Sequence, residues 1–175
     1  LKISLYILIS DVCYKINEFK NAEKYLLESI KLGKSSAEIF NSLGNIYLKK
    51  RDYKNSENSY LKSINIEKKN EIALVNLAIL YHNLGRQKEA ITFYKKVLEV
   101  NPQNVGALYN LSKIDQAIIN KKTIEILKNQ ITEKNLNNFN LASSYFLLAD
   151  VEKNKKNFNE EIKLLAEANR YSFKS

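Results

Sequence analysis

The chain has one proline and four glycines in 175 residues, too few turn-formers for a sandwich or barrel that must reverse every ten residues or so. Long helices joined by short connections suit that scarcity better. Its single thiol, Cys13, cannot close an internal disulfide, so oxidation plays no part in holding the fold, and a reducing, cytoplasmic setting is expected. Methionine is absent and the chain starts at Leu1, so it reads as a segment of a longer product. The apolar opening LKISLYILIS is shorter than the roughly 20 residues a spanning helix needs. No cleavage site of small residues follows it, and Asp11 stands where a lipoprotein signal would want a small side chain before Cys13. It is expected to be a helix of the fold, with no membrane anchor.

Catalytic equipment is equally sparse. One His and one Cys are too few for a zinc site or a Cys/His nucleophilic pair, so no metal and no cofactor is expected. Gly33, Gly44, Gly85 and Gly106 are scattered, and no two frame a phosphate loop. Glu160 and Glu161 are adjacent, and neighbours on a helix diverge by about 100°. They read as surface charge near a helix start, with Asn157 or Asn159 as its cap. The net charge of +9 would suit a nucleic acid if it were clustered. The basic residues are instead spread along the chain and are nearly all Lys, with Arg only at 51, 86 and 170, which argues for a solvated surface.

What the sequence does have is self-similarity at a period of 34. Ala22, Ser56 and Ala90 are spaced by that interval, and other columns fall into step. With units starting at Ile3, Ala37, Glu71 and Val105, one column holds Tyr6, Phe40, Leu74 and Leu108. Three residues on come Ile9, Leu43, Leu77 and Leu111, followed by the small residues Ser10, Gly44, Ala78 and Ser112. Later in each unit stand Leu26, Tyr60 and Tyr94. Apolar residues three and four apart form one helical stripe that must be buried. Small residues on both helices let the two backbones approach, and stacking the next unit completes the core. Cys13 shares the column of Tyr47 and Tyr81 and is expected in the core.

FNSLGNIYLKKRDYKNSENSYLKSI and LVNLAILYHNLGRQKEAITFYKKVLEVNP resemble the tetratricopeptide family. The second carries Leu77, Ala78, Tyr81, Gly85, Ala90, Tyr94 and Pro102 at the family's signature positions, with Gly85 at the turn and Pro102 ending the second helix. The pattern then degrades, with Asp115 at an aromatic position and Ile124 at a small one. After the polar stretch Lys134 to Asn140 the phase returns, shifted by three residues. The resemblance implies an all-α, right-handed superhelical solenoid of about five helix-turn-helix units occupying residues 1–175. Its units are 3–36, 37–70, 71–104, a degenerate 105–138, and 142–175. Residues 105–172 also look like the amino-terminal part of bacterial proteins that join tetratricopeptides to a sulfotransferase. That alternative would put a catalytic domain beyond Ser175 and make this region a substrate-presenting arm.

The resemblance further implies a non-catalytic scaffold that holds a protein or an extended peptide in a concave groove lined by the first helix of each unit. By position, the groove residues are Asn45, Lys49, Asn76, His82, Tyr109, Asn110 and Lys113. Asn41 and Val75 stand in the same exposed column as Tyr109. Asn76 and Asn110 share one column, and an amide there could both donate to and accept from a peptide backbone. A chaperone-tail clamp fits poorly, because Asn41, Gly106 and Asn110 replace the basic residues that would grip a terminal carboxylate. An apolar face left open on a terminal unit would allow self-association.

Overall fold

The computed structural model describes residues 2–133 and 136–173. Among them are ten α-helices and no strand. In order they are α1 (Lys2–Lys15), α2 (Phe19–Lys31), α3 (Ala37–Lys49), α4 (Tyr53–Ile66), α5 (Glu71–Asn83), α6 (Gln87–Val100), α7 (Val105–Ser112), α8 (Lys121–Glu133), α9 (Asn138–Asn154) and α10 (Phe158–Ser172). A 3₁₀ turn, Gln116–Ile118, stands between α7 and α8. The fold is the all-α succession of paired helices that the family resemblance implies. The chain forms two compact units, Leu1–Phe93 and Tyr94–Ser175.

In the first unit α1 packs on α2, α3 on α4, and α2 and α4 each also pack on the next first helix, α3 or α5. The small columns work as contact points. Ser10 Oγ donates to the Ala22 carbonyl at 2.9 Å. In the next repeat the same two columns are bridged in reverse, with Ser56 Oγ donating to the Gly44 carbonyl at 2.9 Å. Ala78 and Ala90 complete the series with no hydroxyl, both fully buried. A side chain on Gly44 would place its Cβ 2.4 Å from the Tyr60 ring, so glycine is what lets that ring lie against α3. Cys13 is half-buried beside the Ala22, Leu26, Ile39, Leu43 and Ile46 cluster, a structural position.

The turns repeat as faithfully as the helices. Asn17, Arg51 and Gly85, each 34 residues from the last, all adopt positive φ, at 62°, 60° and 73°. At each, the following amide bonds back into the helix: Glu18 N to Cys13 O, Asp52 N to Tyr47 O, Arg86 N to Tyr81 O. This 6→1 closure satisfies carbonyls that the helix end leaves open. The first helices start alike too. Ser36, Asn70 and Asn104 sit one period apart and accept from the amides of Ile39, Ala73 and Ala107, the side-chain capping that helix starts favour. Many of this chain's asparagines therefore serve the backbone.

In the second unit the degenerate repeat is visible as geometry. α7 is eight residues long, and the polypeptide then turns through the 3₁₀ segment capped by Asp115, whose side chain accepts from Ala117 N. The helices still share one core, where Leu108 of α7, Leu127 of α8 and Leu147 and Leu148 of α9 pack together. The end of the polar stretch is helical, because α9 starts at Asn138 with Asn137 accepting from Asn140 N at 2.8 Å. Residues 134 and 135 of that stretch lie outside the described residues. Lys156, after α9, restores the positive-φ turn at 61°. Asn157 stands at the start of α10 with no capping bond from its side chain, which instead donates to Glu152 at 2.9 Å. Asn159 lies within α10.

Candidate functional site

Of the sequence-selected residues, Asn45, Lys49, Asn76 and His82 belong to the first unit, and Tyr109, Asn110 and Lys113 to the second. In the first, three asparagines from two adjacent first helices converge. Asn76 Nδ2 on α5 donates to Asn41 Oδ1 at 2.9 Å and to Asn45 Oδ1 at 3.2 Å, both on α3. Asn45 Oδ1 also accepts from the Tyr60 hydroxyl at 2.7 Å. Tyr60 is wholly buried and packs through Gly44, so this amide cluster is anchored to the core. Burial pushes the Tyr60 phenol up to about 12, which keeps it a neutral donor to Asn45. The cluster orients the three side chains, all half-buried, and the Asn76 carbonyl and the Asn41 and Asn45 NH₂ groups take no part in its bonds.

A cavity of about 260 Å³ adjoins this cluster and includes Asn45 in its lining, together with Ile7, Asp11, Tyr14, Leu26, Ser42 and Ile46. It lies between α1 and α3, and of the sequence-selected residues Asn45 alone is in its lining. Asp11, Tyr14 and Ser42 were not among the leading sequence candidates. Their column positions alone could have found them, since Asp11 matches Asn45 and Ser42 matches Asn76. Lys49 is exposed at the end of α3, and His82 is half-buried near the end of α5.

In the second unit Asn110 Nδ2 donates to the Gly106 carbonyl of its own helix at 2.9 Å. Lys113 Nζ lies 4.8 Å from the centre of the Tyr109 ring and 3.3 Å from Asp150 Oδ2 on α9. Lys113 and Asp150 border a second cavity of about 400 Å³ whose floor includes Ile119, Ile124 and Leu147. Asn76 and Asn110, one column in the sequence, thus have different local bonds. One ties two helices together; the other ties back to its own turn.

Repeats in the first unit are joined by a recurring clasp. Glu57 of α4 accepts from the Tyr81 hydroxyl at 2.8 Å and from Arg86 at 2.8 Å, while the Arg86 guanidinium lies 4.3 Å from the Tyr81 ring centre. One repeat earlier, Lys50 pairs with Glu23 and lies over the Tyr47 ring. Burial and the neighbouring carboxylate push both phenols, Tyr47 and Tyr81, up to about 12. Each phenol ties a first helix to the second helix of the repeat before it, α5 to α4 and α3 to α2. Among the described residues no group of three or more His, Cys, Asp or Glu could hold a metal ion, and no helix is long and apolar enough to cross a membrane.

Tetratricopeptide repeat models match residues 3–33, 37–70 and 72–104, together more than half of the chain. No curated protein sequence matches it. Among solved structures it is similar to MamA, with 18% identity over 99% of this chain and 93% of that one and a TM-score of 0.68. It is similar also to YrrB, described as a TPR protein with an unusual peptide-binding site, with 18% identity over 95% and 84% and a TM-score of 0.64. A third likeness is the first TPR of Spaghetti (RPAP3) bound to the HSP90 peptide SRMEEVD, with 18% identity over 68% and 94% and a TM-score of 0.61. At these identities the likeness is one of fold, and with the repeat matches it leads to one conclusion: the chain belongs to the tetratricopeptide repeat family.

Proposed function

We propose that the chain is a non-catalytic module that binds a protein or an extended peptide along the first helices of its repeats. The observation that carries this reading is the Asn41–Asn45–Asn76 cluster beside a cavity of about 260 Å³. Oriented amides are suited to a peptide backbone, which offers alternating donors and acceptors whatever its sequence, and preorganisation lowers the entropy that binding must overcome. The peptide-binding relatives YrrB and RPAP3 support the class of ligand. Asn45, Lys49, Asn76 and His82 form the candidate surface of the first unit, and Tyr109, Asn110 and Lys113 that of the second. The cytoplasm is the expected location.

Capture from the source cell tests the reading, with the wild-type chain compared with an Asn76→Ala/Asn110→Ala variant and retained proteins identified by mass spectrometry. A partner held by the wild type and lost by the variant is expected. Equal capture by both would overturn the role of the amides. The alternative, a substrate-presenting region for a sulfotransferase, rests on the resemblance of residues 105–172 alone, and the repeat matches, which end at residue 104, add nothing to it.

Self-association is a second reading, favoured by one observation. Leu5 and Val12 of α1 are 52% and 50% exposed, whereas the same columns hold Ile39 and Ile46 in α3 at 2% and 1%. α3 covers those columns by packing on α2, a second-helix surface of the kind α10 offers through Phe158 and Ile162, which are 60% and 65% exposed. A second copy could continue the stack that way. A sedimentation coefficient that rises with concentration, and stops rising in Leu5→Ser/Val12→Ser, is the expected result; a constant coefficient would remove the reading.

A further inference from the structure

We infer that the cavity between α1 and α3 receives a lysine or arginine side chain from the bound peptide, with Asp11 as the group that recognises its charge. The inference rests on the groove reading above and names the chemistry of one of its contacts. The cavity's floor is apolar, formed by Ile7, Leu26 and Ile46, and of these Leu26 and Ile46 are buried in the core. Its rim is polar, and the functional groups there differ in what they have left to offer. Ser10 Oγ is engaged with the Ala22 carbonyl, and Asn45 Oδ1 already accepts two bonds, from Tyr60 and Asn76. Asp11 is the one charged residue in the lining.

Asp11 is within reach of an ammonium and is weakly held. Lys15, one turn along α1, approaches its Oδ2 at 2.8 Å, with the two side chains 71% and 55% exposed. Such an exposed i,i+4 pair contributes little, so an incoming cation can take its place at small cost. Long basic side chains combine an aliphatic stem with a charged head, which matches an apolar floor under a carboxylate rim. A norleucine or leucine would fill the floor and leave the carboxylate without a new partner. A glutamate would bring two carboxylates together. The net charge of +9 repels a basic peptide at long range, so selection has to come from this local contact.

The test is an NMR titration of the ¹⁵N-labelled chain with two acetylated, amidated hexapeptides that differ only in carrying lysine or norleucine at one central position. The lysine peptide is expected to shift the backbone amides of Asp11, Ser42 and Asn45 and to bind about threefold more tightly than the norleucine peptide. Asp11→Asn should abolish that preference while leaving the helical circular dichroism and the unfolding midpoint unchanged, because the side chain is exposed. Equal affinities, a lysine preference that survives Asp11→Asn, or no shifts around the cavity with either peptide would overturn the inference. A cellular partner lost on Asn76→Ala/Asn110→Ala but indifferent to Asp11→Asn would leave the groove reading standing and remove this one alone.

Discussion

The first unit keeps the 34-residue phase and the second departs from it, and their polar groups show what the departure changes. In Leu1–Phe93 buried hydroxyls meet backbone carbonyls across helices: Ser10 with Ala22, Ser56 with Gly44, Ser63 with Ala37. In Tyr94–Ser175 the Ser144 hydroxyl and the Gln130 Oε1 are buried with no bonding partner among the described residues, although Gln130 Nε2 reaches the Gln103 carbonyl at 2.8 Å. A buried polar group without a partner is destabilising by about 1–3 kcal/mol. The sequence columns of the clasp change as well: Ile91, still in the first unit, stands in the column of Glu23 and Glu57, and Asp115 in that of Tyr47 and Tyr81. A period in the sequence thus carries more than packing, because it also brings each polar group to its partner.

Core deletion should break the comparison most strongly. Leu147 is completely buried where α7, α8 and α9 meet, and Leu147→Ala should destabilise the second unit by about 2–5 kcal/mol. Native-state hydrogen exchange read unit by unit should show amides of α7 to α9 losing protection, with those of α3 and α4 changing far less. In the first unit the comparable lever is overpacking. Gly44→Ala forces its Cβ against the Tyr60 ring, and a fully buried ring tied to Asn45 has little room to yield. A loss of about 1–3 kcal/mol is expected from urea unfolding, with the amides of Asn41 and Asn45 shifting in the NMR spectrum.

Alkaline pH sharpens the contrast without mutation. Tyr47, Tyr60 and Tyr81 of the first unit are raised from 10.0 to about 12; Tyr94 of the second is raised similarly. A phenol whose folded value lies above its unfolded value binds its proton more tightly when folded. Its contribution is complete below pH 10 and is lost as the pH rises toward 12. Unfolding midpoints should therefore be flat to about pH 10 and fall beyond it, and exchange protection should fall first in α3 to α5. Tyr81→Phe, which leaves Glu57 only its Arg86 contact, should cost about 0.5–1.5 kcal/mol at neutral pH.

The sequence made the helices, the small columns and the Gly85 turn legible because each depends on residue size or conformational freedom at a fixed interval. The amide cluster was legible only in part. The columns place Asn41, Asn45 and Asn76 on exposed faces, but that Asn76 bridges the other two depends on how closely α5 approaches α3. That spacing is set by tertiary packing and leaves no mark in the pattern. The short α7 was signalled by Asp115 and Ile124, yet the 3₁₀ segment was not, since Asp115 capping Ala117 is a local competition with the helix that no periodicity shows. The carboxylate in the cavity lining, Asp11, carries no such mark in the sequence, because its neighbours in α3 are 31 to 35 residues away.

The turn position carries the smallest effect and the cleanest contrast between units. Arg51 and Lys156 hold the left-handed conformation that Gly85 adopts freely, and a Cβ there costs about 1–2 kcal/mol. Glycine removes that cost but adds about 0.5–1 kcal/mol of chain entropy to lose on folding, so Arg51→Gly and Lys156→Gly should each stabilise by only about 0.5 kcal/mol. Asn17→Gly should be close to neutral, because asparagine tolerates this region better. The equivalent position of the degenerate repeat is Ile119, whose φ is −82°, so glycine there relieves nothing. Ile119 also packs on the second unit's core, and Ile119→Gly should destabilise. Opposite signs at Arg51 and Ile119 in parallel urea titrations would tie the missing turn to the lost phase; the same sign at both would mean that the left-handed turn is incidental to the repeat.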